Sequence, residues 1–289
     1  MVNGHARFPT SKRILGLTMI SLYGGTGFVG GNFRKMYDDC IEMQRDERKP
    51  KTKDILYFIS TVDNYNVHDR ITLDVETNLK VLCEVLDHCR SEDITFNFIS
   101  SWFVYGKTPY MPATEDARCE PTGFYSITKR CAEQLIISFA ETYGMKYRIL
   151  RLCNVLGAGD QKASKKKNAI TWLIDELKLH HDIKLYNYGS PCRDIMHVQD
   201  VCRAIKLVID KGNLNEIYNI GSGKPTSVGK IIHLANHYIK SKGKIENMEP
   251  PVFHKNVQTE NFWMDTKKLQ SLGFEPKLSL EFIVKDLCL

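Results

Sequence analysis

No two of the nine cysteines in this chain stand three residues apart. The set (Cys40, Cys83, Cys89, Cys119, Cys131, Cys153, Cys192, Cys202 and Cys288) is odd in number, and most members sit inside apolar segments. That pattern excludes a disulfide framework and a paired-thiol zinc site, and reads as reduced, buried thiols with no metal. Also missing is an apolar run of the roughly 18 residues needed to span a bilayer. There is no low-complexity tether and no internal repeat. Charge of one sign is in short supply too: the net +6 is mild and dispersed. It would help draw in a small anionic substrate but does not form a nucleic-acid footprint. What is present is ordinary for a globular protein: 43% apolar residues, 26% charged, and 289 residues, enough for one large α/β domain or two intimate lobes.

Short β-rich runs alternate with helical stretches, the signature of a parallel sheet with crossover helices. Strands are expected at Met19–Tyr23, Ile55–Ser60, Phe96–Ser100 and Tyr147–Leu152. Helices are expected at Gly30–Cys40, Val75–Cys89, Ser126–Tyr143, Ala169–Leu179, Val198–Lys211 and Val228–Lys240. After about Leu156 the texture changes to shorter, mixed elements. The fold class is therefore α/β: a doubly wound, Rossmann-like parallel sheet over 19–156, then a smaller, interwoven α+β region over 157–289 that binds substrate and partly returns to the sheet. Arg7, Lys12 and Arg13 precede the apolar run from Ile14 to Tyr23, which imitates the opening of a secretory signal. Gly24-Gly-Thr-Gly follows at once without a convincing cleavage site, so residues 1–18 are expected to be a short leader on a cytoplasmic protein. The helices at Val75–Cys89 and Ser126–Tyr143 have wide apolar faces, open to two readings: packing on the sheet, or pairing with a second copy in a homodimer.

Three segments carry chemistry. Ile20-Ser-Leu-Tyr-Gly24-Gly-Thr26-Gly27-Phe28-Val29-Gly30 is a strand running into glycines and then a helix. Such a turn lets a pyrophosphate approach the backbone and the helix N-terminus. At the expected end of the second strand, Gln44-Arg45-Asp46-Glu47-Arg48-Lys49 offers both acids for a ribose hydroxyl and bases for a 2′-phosphate. The basic residues favour NADP, with Arg45 or Arg48 as the contact; NAD and a plain solvated turn stay open. Tyr125 and Lys129 stand four apart, on one face of a helix. A lysine cation there is expected to lower the phenol's pKa and ready it for proton transfer. Ser100 and Ser101, at the end of a strand 24 residues upstream of Tyr125, supply hydroxyls where open α/β sheets bind ligands.

Together these segments resemble the extended short-chain dehydrogenase/reductases, and more narrowly the nucleotide-sugar epimerase/dehydratase family. Arg151-Leu-Cys-Asn154-Val-Leu-Gly157, Arg193-Asp194-Ile-Met-His197-Val198-Gln-Asp200, Tyr218-Asn-Ile-Gly221 and Leu272-Gly-Phe-Glu-Pro276 resemble further segments of that family, in the right order. The resemblance implies Tyr125 as general acid/base and Lys129 as its tuner and ribose ligand, with Ser101 polarising the substrate. Ser60 and Asn78 are expected to line the cofactor, Asn78 from the helix after the fourth strand. Asn154 and Arg193 would grip a substrate diphosphate, and Trp102 would shape the sugar pocket. Asp194, His197 and Asp200 read as holding a loop, and Lys165 to Lys167 as a solvated loop or a phosphate contact.

Departures from the family narrow the reading. Dehydratases carry an Asp-Glu pair after the catalytic hydroxyl, where this chain has Trp102 and Phe103, so elimination of water is disfavoured. Tyr23 replaces the usual threonine, and the stretch from Gly30 to Asp54 is short. The expected function is a 4-keto-(6-deoxy)sugar reductase acting on a nucleotide-diphosphate sugar with NADPH. An epimerase retaining NAD is the alternative, and a silent NADP-binding protein a third.

Overall fold

The computed structural model describes residues 19–160, 163–164 and 166–289. The expected leader, 1–18, and Lys165 lie outside the described residues. The chain opens with β1 (Ile20–Tyr23), α1 (Phe28–Met36), β2 (Cys40–Glu42) and β3 (Asp54–Tyr57). A broken helical stretch follows: α2 (Asn66–Asp69), α3 (Leu73–Val75), a π-helical turn at Glu76–Lys80, and α4 (Val81–Leu86). Next come β4 (Thr95–Ser101), a 3-10 turn at Trp102–Tyr105, α5 (Phe124–Tyr143), β5 (Lys146–Leu152) and β6 (Asn154–Leu156). The remainder comprises α6 (Ala169–Lys178), β7 (Ile183–Tyr186), β8 (Cys192–His197), α7 (Val198–Lys211), β9 (Glu216–Ile220), β10 (Pro225–Ser227), α8 (Val228–Ile239), β11 (Ile245–Met248), α9 (Val252–Val257), α10 (Lys267–Ser271) and α11 (Leu280–Cys288).

Among the described residues, six parallel strands form the main sheet in the order β2-β1-β3-β4-β5-β9. The reversal of direction at β1 and β3 creates the crevice where open α/β sheets take ligands, outside the carboxyl strand ends. Strands buried on both faces are largely apolar, as Phe96, Phe98 and Ile99 are in β4, where the buried Asn97 interrupts the run. Two small sheets, β10-β8-β6 and β11-β7, lie beyond the main one. The second region is interwoven: β9 returns to pair with β5, and α7 packs against α1.

Several boundaries differ from the sequence reading. The helix expected to reach Cys40 stops at Met36, because Cys40 is already pairing with Ile20 in β2. β2 ends at Glu42, before the basic run. β3 ends at Tyr57, leaving Ser60 in the following loop. Asn78 follows the third strand rather than the fourth, on the π-helical turn. Most of the apolar residues on the two suspect helices are core: Leu82, Val85, Leu86, Ile136 and Ala140 are buried against the sheet, while Leu135 stays exposed. No helix among the described residues is long and apolar enough to cross a membrane.

Candidate active site

The glycine turn forms where β1 delivers the chain to α1. Gly24 has φ +79°, the left-handed region that penalises a side chain. A Cβ on Gly30 would lie 2.4 Å from the Gly24 carbonyl oxygen, so the helix packs on the turn only because Gly30 has none. Gly27 is the N-cap residue; no side chain caps α1, and no acid stands in its first turn. The first-turn N–H groups, which include those of Phe28, Val29 and Gly30, have no intrahelical partners, and the helix dipole adds to their pull on an anion. Thr26 is exposed at this turn. The cradle fits the pyrophosphate of a dinucleotide.

At the adenosine end, the residue closing β2 is acidic. Glu42 lies beside Gly25, whose added Cβ would stand 3.2 Å from Glu42 Oε1, and it pairs with Arg34 of α1. Arg48 is engaged elsewhere: Nε donates to Glu84 of α4 at 2.6 Å and Nη1 to the Arg45 carbonyl at 2.8 Å. Arg45 is exposed. Tyr23 is buried, packs against the Tyr57 ring at 5.6 Å and donates its hydroxyl to the Arg48 carbonyl at 2.7 Å. Its place is therefore in the core. Sequence reasoning passed over Glu42 because it set the end of the second strand a few residues too late.

Tyr125 sits in the first turn of α5, which starts cleanly at Gly123. Ser126 Oγ accepts from Gly123 N at 3.0 Å, and Asn64 Oδ1 accepts from Ser126 N at 3.1 Å. The Ser101 hydroxyl, at the end of β4, is the group that pulls the Tyr125 phenol's pKa down. It also accepts from the Phe103 amide at 3.3 Å, which starts the turn that follows. One helical turn along α5, the Lys129 ammonium donates to the Ile99 carbonyl at 2.6 Å and stands 4.4 Å from the centre of the Phe98 ring. All three residues are buried.

Burial dominates the electrostatics. It pushes the Tyr125 phenol up to about 12, although the Ser101 hydroxyl pulls the other way, and Asp74 and Asp63 add to the rise. Burial pulls Lys129 down to about 7, partly opposed by Glu133. The lysine charge expected to lower the phenol is not among the groups that set its pKa here; burial outweighs the pull of Ser101.

Around the pair, Phe103 meets the Tyr125 ring edge-on at 5.9 Å. Trp102 stacks between Phe103 and Phe262 at 4.1 and 4.8 Å. Trp102 is buried, so packing occupies most of its surface. Asn78 uses its whole amide on the protein: Oδ1 accepts from Thr61 N and Ser60 Oγ, and Nδ2 donates to Thr61 Oγ1 and Thr128 Oγ1. It ties the loop after β3 to α5. π-helical turns such as this one are frequent at functional sites. Asp63, Asn64 and Asp74, missed in the sequence, crowd the same loop, and no motif would have flagged them.

On the substrate side, Asn154 and Arg193 stand on paired strands, β6 and β8. Asn154 Nδ2 donates to the Asp194 carbonyl at 3.2 Å. Arg193 Nη1 donates to the Cys192 and Glu260 carbonyls, and its guanidinium lies 5.6 Å from the centre of the Trp102 ring. Asp194 receives Ser222 N and Oγ, Gly223 N and Met264 N. Asp200 receives Lys277 N and Leu278 N, and His197 meets Asp286 at 3.1 Å. These three hold the loop's shape. Lys166 pairs with Asp69, and Lys167 lies 3.7 Å from Asp63, so both reach across to the loop after β3.

Comparison with known proteins agrees with this geometry. The model of the NAD dependent epimerase/dehydratase family matches residues 55–221. A putative UDP-glucose 4-epimerase of Methanocaldococcus jannaschii is 29% identical over 92% of this chain and 96% of its own length. Among solved structures, UDP-glucose 4-epimerase of Thermotoga maritima, with UDP-glucose, superposes with a TM-score of 0.82 at 22% identity, covering 93% of this chain and 97% of that one. RMD of Pseudomonas aeruginosa, complexed with NADPH, gives 0.80 at 18% identity, over 94% and 98%.

Proposed function

The chain belongs to the NAD-dependent epimerase/dehydratase family, and from that premise we propose that it epimerises a nucleotide-diphosphate sugar with a retained NAD. The observation that carries the reading is the burial of Ser101, Tyr125 and Lys129 together, with Lys129 donating to the Ile99 carbonyl at 2.6 Å beside Ser101, at the crevice that also holds the glycine cradle. Ser101 aims a sugar hydroxyl or carbonyl oxygen at the phenol, and Tyr125 moves the proton at that oxygen. Bound NAD would supply a hydride acceptor and donor at the adjoining carbon. Lys129, anchored on Ile99, provides positive charge under the site. No carboxylate follows Ser101, only Trp102 and Phe103, so no side chain there removes water from the sugar.

Two observations reverse the order in which the sequence ranked epimerase and reductase. Glu42, not an arginine, closes β2, and a strand-end carboxylate suits a ribose 2′-hydroxyl rather than a 2′-phosphate. Arg48 is engaged by Glu84. The relative matched along nearly its whole length is also named an epimerase. We read Asn154 and Arg193 as the diphosphate grip, residues 19–156 as mainly cofactor-binding and 157–289 as mainly substrate-binding, and the exposed Leu135 side of α5 as the face toward a second copy.

A keto-sugar reductase using NADPH is the second reading, favoured by the likeness to the NADPH-bound RMD fold and by the exposed Arg45. One experiment separates them. Purified protein incubated with UDP-glucose and no added cofactor should form the C4 epimer, UDP-galactose, and release NAD on acid denaturation. Protein that carries no NAD, leaves UDP-glucose unchanged and oxidises NADPH with a keto-sugar nucleotide would overturn the epimerase.

A further inference from the structure

Three side chains of α5 reach the end of β4 in a stripe. Residues 125, 129 and 133 recur every four positions, so they stand on one helical face. Tyr125 meets Ser101, Lys129 donates to the Ile99 carbonyl at 2.6 Å, and Glu133 Oε1 accepts from Ser100 Oγ at 2.6 Å. Consecutive residues of one strand are thus each held by the same helix. We infer that Glu133 is a positioning residue that sets the Ser101–Tyr125 contact and supports the charge on Lys129. The inference rests on the catalytic reading of Tyr125 above.

Glu133 is fully buried and takes four donors: Ser100 Oγ, Arg151 Nε at 3.0 Å, Arg151 Nη2 at 2.8 Å and Arg130 Nη1 at 2.8 Å. Arg151 is itself buried on β5. Burial raises the carboxyl's pKa, but Arg151, Ser100 and Arg130 outweigh it and hold Glu133 ionised below its usual range. Apolar packing would join helix to sheet as well as a buried ion pair does. What an ion pair with directed hydrogen bonds adds is position, and proton transfer depends on position at the scale of ~0.5 Å. Around Lys129 stand the Phe98 ring and the Ile99 carbonyl of β4 and, one turn away on its own helix, Glu133. Arg130 and Arg151 bind Glu133. Glu133 is therefore the anion that opposes the burial of the ammonium.

The test uses the full chain labelled with 13C at lysine Cε and tyrosine Cζ, with Lys129 and Tyr125 signals identified by their loss in Lys129→Met and Tyr125→Phe. Glu133→Gln should lower the Lys129 titration midpoint by at least about half a unit and displace the Tyr125 signal. Ser100→Ala keeps the ion pair, so it should leave Lys129 in place and displace Tyr125 alone. With UDP-glucose as substrate, both should cut kcat by about 10- to 100-fold with KM changed little. If both variants fold and neither signal moves, the inference is overturned. If Glu133→Gln does not fold, Ser100→Ala decides: an unmoved Tyr125 signal overturns the inference and a moved one sustains it. Tyr125→Phe with full turnover would instead overturn the catalytic reading, and the two NMR results would still say whether Glu133 governs the pair.

Discussion

The cofactor side and the substrate side of the cleft are built on opposite terms. On the first, the strand-end groups meet one another: Ser101 faces Tyr125, and the first turn of α1 leaves its N–H groups to a ligand. On the second, the candidate ligand groups are satisfied by the protein: Arg193 by two carbonyls and Asn154 by a third. The chemical end is thus preorganised, while at the substrate end a ligand that takes Arg193 Nη1 or Asn154 Nδ2 exchanges an internal hydrogen bond for its own. Preorganised donors act in the transition state, whereas exchanged ones change ground-state binding. The comparison predicts that substitutions on the two sides fall on different kinetic parameters.

The largest effect tests the chemical end. Tyr125→Phe removes the proton but keeps the ring that packs on Phe103, so kcat should fall by about 10²- to 10⁴-fold. Binding of UDP-glucose, measured by calorimetry, should be unchanged; a matching loss of affinity would break the comparison. Next is Lys129→Met, read as stability against pH. The folded pKa, about 7, lies below the ordinary lysine value of 10.5. Below about pH 7 both folded and unfolded chains are protonated, so the full cost of the buried charge is present. As pH rises from about 7 towards 10.5, the unfolded chain binds more protons and wild-type stability climbs. Lys129→Met should therefore gain on the order of a few kcal/mol near pH 6, and that gain should shrink steadily towards pH 10. Chemical unfolding at pH 6, 8 and 10 measures it; a gain independent of pH would mean that Lys129 is not a buried cation.

The same contrast explains what the sequence revealed. Local patterns marked the glycine turn, the strand-end serines and the Tyr125–Lys129 face, because each depends on residues near in sequence or on one regular element. The alternation of elements likewise gave the parallel sheet. What it could not give depends on contacts between distant segments. Arg48 looked available until Glu84, 36 residues on, engaged it. Asn64 caps α5 from 62 residues away. The phenol's pKa follows from burial, which no spacing of two residues reports. Glu42 was visible but was set aside by an error of a few residues in the strand boundary, and at a strand end that error decides which side chain meets the ribose. Glu133 had a local signal, four residues beyond Lys129, yet its meaning required Ser100 and Arg151.

A substitution at the substrate end sharpens the contrast from the other side. Arg193→Lys keeps the charge and a nitrogen able to serve the Cys192 and Glu260 carbonyls, as Nη1 alone does now, but loses the Nε and Nη2 donors of the planar fork. KM for UDP-glucose should rise about 10-fold, the loss of one charge-assisted hydrogen bond, with kcat within about 2-fold. A fall in kcat equal to that of Tyr125→Phe would place Arg193 in the chemistry rather than in binding.

The smallest effect concerns the adenosine end, where the cofactor side itself divides. The glycine cradle is fixed by backbone, but the ribose contact depends on a side chain that already has a partner, Arg34. In the wild type Glu42 pairs with Arg34; on the reading proposed above it would also accept from a ribose hydroxyl, and a 2′-phosphate would meet that carboxylate and be repelled. Glu42→Gln removes that repulsion and frees the Arg34 guanidinium, a group suited to phosphate. The two changes act in the same direction: NAD affinity should fall and NADP affinity should rise, moving their ratio by about 10-fold. Titration of cofactor-stripped protein with each dinucleotide, followed by quenching of intrinsic fluorescence, measures both. If the wild type already binds NADP more tightly and Glu42→Gln leaves the ratio unchanged, then Arg45, not Glu42, reads the ribose, and the reductase regains its claim on the site.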